Sequence, residues 1–93
     1  MEKPWDEQFE TLMRRALRLM PADQELLPDA NSFLLGLDSL AAVDLLVNIE
    51  LTYDIEIPED HLTLQTFATP AILWTAVQQV RDAVPNATIY HAR

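Results

Sequence analysis

The sequence predicts an all-α fold, a small four-helix bundle with a long loop between helices 1 and 2 and a short third helix. Three observations carry that expectation. Apolar residues recur at three- and four-residue spacing in separate long segments, a single glycine occurs in 93 residues, and the one alternating stretch considered, Ile55-Glu56-Ile57, is too short for a strand and has no pairing partner. A chain of this length makes one domain with a single core, expected over about residues 5–84 with a flexible tail over 85–93. It is too short for two lobes around a deep cleft, which weighs against an enzyme with its own pocket.

Helix 1 is expected from about Trp5 to Met20, opened by Pro4 and stopped by Pro21, with Trp5, Phe9, Leu12, Met13, Ala16, Leu17 and Met20 facing the core. Its acidic residues fall in the first half and Arg14, Arg15 and Arg18 in the second, the order that complements a helix dipole. Those arginines read as a solvated helix end rather than a nucleic-acid site. Pro21 to Asp38 is a connection too irregular for a continuous helix, expected to cross one end of the bundle with Leu26, Leu27, Phe33, Leu34 and Leu35 buried. Gly36 near its end allows a positive φ or a close backbone approach.

Helix 2 should span Ser39 to Tyr53, with Ala42, Leu45, Leu46, Ile49 and Tyr53 as its core stripe. The opposite stripe, Leu40, Val43, Asp44, Val47, Glu50 and Leu51, fits either an outward face for docking a partner or a helix enclosed by neighbours. Ile55 and Ile57 should tuck inward from a loop. His61 to Gln65 should form one short helical turn, with Leu62, Leu64 and Phe67 as core contacts. Thr69-Pro70 should open the last helix, which faces the core with Ile72, Leu73, Ala76, Val77 and Val80, packs Trp74 at its margin and ends at Pro85.

Fifteen carboxylates against six Lys and Arg give a net charge of −9, which argues against binding nucleic acid or an anionic membrane and for basic protein partners. From Asp38 to Asp60 the acidic residues Asp38, Asp44, Glu50, Asp54, Glu56, Glu59 and Asp60 occur with no Lys or Arg, so negative potential gathers around helix 2 and steers such a partner. Residues 54–60 make no calcium loop, because the glycine at position six is missing and Pro58 interrupts it. With no cysteine the chain has no disulfide, thiol nucleophile or thiolate metal ligand of its own. No apolar run reaches bilayer length and no signal-peptide pattern opens the chain, so a cytoplasmic monomer is expected.

The chemistry centres on Gly36-Leu37-Asp38-Ser39-Leu40. A serine at the mouth of a helix offers its hydroxyl to solvent, and a phosphate ester there would meet the positive end of the dipole and unpaired backbone N–H groups. Simple capping by Asp38 or Ser39 explains the same residues without any modification.

That pentapeptide is followed by Val43-Asp44-Leu45, Ile49-Glu50, Tyr53-Asp54-Ile55-Glu56-Ile57-Pro58 and Phe67-Ala68-Thr69-Pro70, and over about residues 8 to 82 the chain resembles the acyl carrier and peptidyl carrier protein family. The resemblance implies a non-catalytic carrier with 4′-phosphopantetheine from coenzyme A attached to Ser39 by a phosphopantetheinyl transferase, its cargo held as a thioester. It implies that Asp38 helps the transferase engage the serine through its metal ion, and that Leu40, Val43, Asp44, Val47, Glu50 and Leu51 form the recognition face. Partners would be acyltransferase, adenylation or ligase, ketosynthase or condensation enzymes with basic docking surfaces. Leu51 stands where fatty-acid carriers usually have a carboxylate, and Ala41 and Ala42 replace polar residues. Docking is therefore expected to be more apolar, which favours polyketide or nonribosomal peptide biosynthesis and an acyl or aminoacyl cargo. A chain starting at Met1 and spanning little more than the domain is expected to be free-standing.

Two other readings compete. One is a helical interaction module with no covalent cofactor, in which Ser39 only caps helix 2. The other is a small hydrolase or transferase with Ser39 as nucleophile, which needs a base that His61, in a turn, and His91, in the tail, are poorly placed to supply.

Overall fold

Three α-helices and no strand form among the described residues of the computed structural model, which covers the backbone of residues 3–91 and the side chains of residues 3–83. They are α1 (Glu7–Ala16), α2 (Ser39–Tyr53) and α3 (Pro70–His91), with 3-10 turns at Glu59–His61 and Gln65–Phe67 between the last two.

α1 is shorter than expected at both ends. Asp6 is its N-cap, accepting from the Phe9 N–H at 2.9 Å, so Trp5 lies before the helix although it is buried. At the other end Leu17 breaks the helical backbone (ψ 78°) and the Leu19 N–H donates to Leu35 O at 2.9 Å instead of continuing the helical ladder. Gly36 closes this crossing. Its φ is +107°, and a Cβ built on it would lie 2.8 Å from Leu19 N and 3.0 Å from Arg18 N. The long loop therefore ends α1 by backbone contact, four residues before the proline does.

The loop does cross the bundle, but it buries different residues from those expected. Leu26 and Leu37 are in the core and Leu35 is packed against it, whereas Leu27, Phe33 and Leu34 are exposed. Ser32 decides the facing. Its N–H donates to Ala68 O and its carbonyl accepts from the Leu35 and Leu37 N–H groups, which turns Ser32 fully inward and Phe33 and Leu34 out. A second tie runs from the Ala71 N–H, in the open first turn of α3, to Pro28 O at 3.0 Å.

α2 occupies the expected range and is followed by Asp54 in the left-handed region (φ 55°, ψ 51°). The Glu50 carbonyl accepts from both Asp54 and Ile55, and its carboxylate accepts from the Ile57 N–H at 2.9 Å. These bonds wrap residues 54–58 under the helix end and bury Ile55 and Ile57, as anticipated.

The expected short third helix over His61–Gln65 is instead split into the two 3-10 turns. Thr63 and Thr66 exchange backbone-to-hydroxyl bonds at 3.3 Å in both directions, and the Thr66 hydroxyl also donates to His61 O. This local network competes with helical pairing. It buries Thr66 and Phe67 and leaves Leu64, expected in the core, exposed. α3 opens as foreseen, with the Thr69 hydroxyl accepting from the Ile72 N–H at 3.2 Å. It runs through Pro85 rather than ending there; proline has no N–H, so that turn lacks one ladder bond. The expected tail lies partly outside the described residues.

Phe9 and Met13 of α1, Leu17, Leu26, Leu45 and Ile49 of α2, and Leu73 and Val77 of α3 make the fully buried centre. An aromatic array crosses one end of it: Trp5 to Phe9 at 5.7 Å, Phe9 to Trp74 at 4.9 Å and Trp74 to Tyr53 at 6.1 Å between ring centroids. Trp74 is thus a core residue and not a marginal one, because rings from both α1 and α2 cover it. Beside this array, burial pushes the Glu10 carboxyl up, but donors from Trp5, Lys3 and Arg14 outweigh it and hold its pKa below the ordinary value. Burial, and then the hydrogen bond to Asp6 at 2.6 Å, keep the Tyr53 phenol protonated well above its ordinary pKa.

Candidate functional site

Asp38 takes the capping role that sequence leaves open between it and Ser39. Its Oδ1 accepts from the Ala41 N–H at 2.8 Å and its carbonyl accepts from Ala42 N–H at 2.8 Å. Ser39 is then the first residue of α2, exposed and free of the cap. The Ser39 and Leu40 N–H groups have no acceptor within the helix, and the first turn of α2 holds no acidic residue. The serine hydroxyl therefore stands where the dipole favours a negative group.

Arg18 supplies what sequence reading missed. It sits in the turn after α1, and its Nη2 donates to Asp38 Oδ2 at 2.5 Å, so both carboxylate oxygens of Asp38 have partners. Read along the chain, Arg18 belongs to a solvated helix end; only the folding back of the loop brings it to a residue twenty positions on. Arg14 is engaged differently, with Glu10 and the carbonyls of Ala22 and Gln24. Arg15, Ala16, Arg18, Asp38, Leu40, Ala41 and Asp44 line a shallow groove of about 250 Å³ flanking residue 39.

The outward stripe of α2 is solvent-facing at Leu40 (82 % exposed), Val43 (60 %), Val47 (45 %) and Leu51 (75 %). That removes the enclosed-helix alternative. Asp44 is exposed and accepts from the Asn48 side chain, whereas Glu50 is half-buried and engaged with Ile57. Leu19, whose backbone meets Gly36, and Leu34, two residues before that glycine, are also exposed. His61 lines a different pocket, of about 350 Å³, between the 3-10 turns and α3 with Thr63, Thr66, Ile72 and Gln79. The His91 side chain lies outside the described residues. Among the described residues no three His, Cys, Asp or Glu side chains gather as a metal site.

A family model described as the phosphopantetheine attachment site matches residues 7–71. The chain belongs to this family. No curated protein matches it. Phosphopantetheine attachment domains of this kind occur in acyl and peptidyl carrier proteins and hold 4′-phosphopantetheine covalently on a serine. This carrier domain has two serines, Ser32 and Ser39, both within the matched span. They differ in the property that matters for attachment: Ser32 is 0 % exposed, with its hydroxyl unpartnered in the core, and Ser39 is on the surface. The open helix start at Ser39 suits a phosphate-linked group, which supplies the thiol that a cysteine-free chain lacks. Carrier domains interact with phosphopantetheinyl transferases and biosynthetic enzymes in general. Among the described residues no helix is long and apolar enough to cross a membrane.

Proposed function

We propose that Ser39 carries the 4′-phosphopantetheine, and that the chain is a non-catalytic carrier presenting an acyl or aminoacyl thioester to the enzymes of a polyketide or nonribosomal peptide pathway. The observation that supports Ser39 is the division of labour at the start of α2: Asp38 caps the helix through Ala41, which leaves the neighbouring hydroxyl exposed. Leu40, Val43, Asp44, Val47 and Leu51 form the recognition face. Glu50 contributes charge from its edge while its carboxylate holds Ile57. Four exposed aliphatic side chains with few carboxylates among them favour a client surface with an apolar centre and basic rim, which is the support for a specialised pathway rather than fatty-acid synthesis. We read the two 3-10 turns as the counterpart of the short third helix of a carrier bundle. We also propose a cytoplasmic location, where coenzyme A is available for loading.

The experiment is intact-mass measurement after incubation with coenzyme A and a broad-specificity phosphopantetheinyl transferase. Wild type and Ser32→Ala should gain one phosphopantetheine unit and Ser39→Ala none. No gain in a folded wild-type sample would leave a helical interaction module without covalent cofactor.

A further inference from the structure

We infer that Arg18 is the counter-ion of the attachment site: it pairs with Asp38 in the unmodified chain and turns to the phosphodiester once Ser39 is esterified, an inference that rests on attachment at Ser39. The ion pair joins the turn after α1 to the residue immediately before Ser39, with Nη2 and Oδ2 2.5 Å apart. Both side chains remain more than half exposed, at 65 % and 53 %, so water competes for the pair and it exchanges readily. The sequence contains no Lys or Arg between Arg18 and Arg81, so neither α2 nor the loops on either side of it supply another cation. Arg14 is held by Glu10 and two carbonyls, which leaves Arg15 and Arg18 as the cations lining the groove beside residue 39.

Esterification replaces a neutral hydroxyl with a phosphodiester bearing a single negative charge, directly after Asp38 in the chain. Asp38 and the phosphodiester would then compete for the Arg18 guanidinium. Asp38 gives up the least when Arg18 turns, because its Oδ1 keeps the Ala41 N–H and its capping role. The phosphodiester has no helix-capping bond to fall back on, and its oxygens match the planar donor fork of arginine. Arg18 thereby steadies the root of the arm while leaving its far end free, a positioning role at the point of attachment.

The test uses the unmodified and phosphopantetheinylated protein, with attachment verified by intact mass. The Arg18 Nε–Hε resonance should move on loading while that of Arg14 stays fixed. The ³¹P resonance of loaded Arg18→Gln should differ from loaded wild type and return towards it in Arg18→Lys; added sodium chloride should shift the wild-type resonance towards the Arg18→Gln position. Full mass gain with the Arg18 resonance unmoved and the ³¹P resonance equal in wild type and Arg18→Gln would overturn the counter-ion role and leave attachment at Ser39 standing. Absence of mass gain in wild type would overturn both.

Discussion

Gly36 and Asp54 both adopt left-handed backbone, and their neighbours set different demands. Asp54 belongs to a residue type that tolerates the region at a helix end. Gly36 combines φ +107° with the Arg18 and Leu19 backbone pressed against the position a Cβ would fill. Gly36→Ala is therefore expected to lose about 1–3 kcal/mol of stability from strain at that backbone conformation, read as a lower urea midpoint with unchanged slope. A midpoint equal to wild type would mean that the loop moves aside easily. The glycine's special role was legible from its being alone and beside the key serine. What it approaches was not, because Arg18 and Leu19 are far enough along the chain that no local rule pairs them with it.

Among the elements, α2 is the clearest case of local control. Its start is set by a capping aspartate and its end by the acidic Ile-Pro stretch that folds back beneath it, so its range follows from sequence alone. The same helix carries the docking prediction. Asp44→Arg, at an exposed position on the outward stripe, should slow transfer to a cognate basic partner by about tenfold, equivalent to ~1.4 kcal/mol, without altering helix content by circular dichroism. Unchanged transfer rates would remove Asp44 from the recognition face. α1 and the segment before α3 were less legible. Periodicity carried α1 on to Met20 because the apolar spacing does continue there, but a tertiary bond from Leu19 to Leu35 diverts the backbone first. The threonine pair at 63 and 66 likewise divides what spacing reads as one turn.

At the scale of the whole molecule, two titrating groups brace the aromatic end from opposite sides of neutrality. Glu10 has a folded pKa below its ordinary 4.5, so the stability it contributes is in place above that value and is lost as pH falls through the folded pKa. Tyr53 has a folded pKa above its ordinary 10, so its contribution is complete below that value and is lost as pH rises towards the folded pKa. Urea midpoints should show Glu10→Gln losing less between about pH 7 and about pH 3 than wild type, and Tyr53→Phe losing less between about pH 9 and about pH 11. Equal losses in variant and wild type would separate either group from the pH response.

Local chemistry alone accounts for the all-helical class, the span of α2, the opening of α3 at Thr69-Pro70 and the prominence of Ser39, since helix periodicity and capping act within a turn or two. The facing of the long loop, the burial of Ser32, the inward place of Trp74 and the Arg18–Asp38 pair arise only in three dimensions. Each depends on a partner many residues away, Ala68 for Ser32, Phe9 and Tyr53 for Trp74 and Asp38 for Arg18. In an irregular segment no period dictates which side chain turns inward; the backbone groups must find partners, and the long-range bonds that satisfy them choose the face.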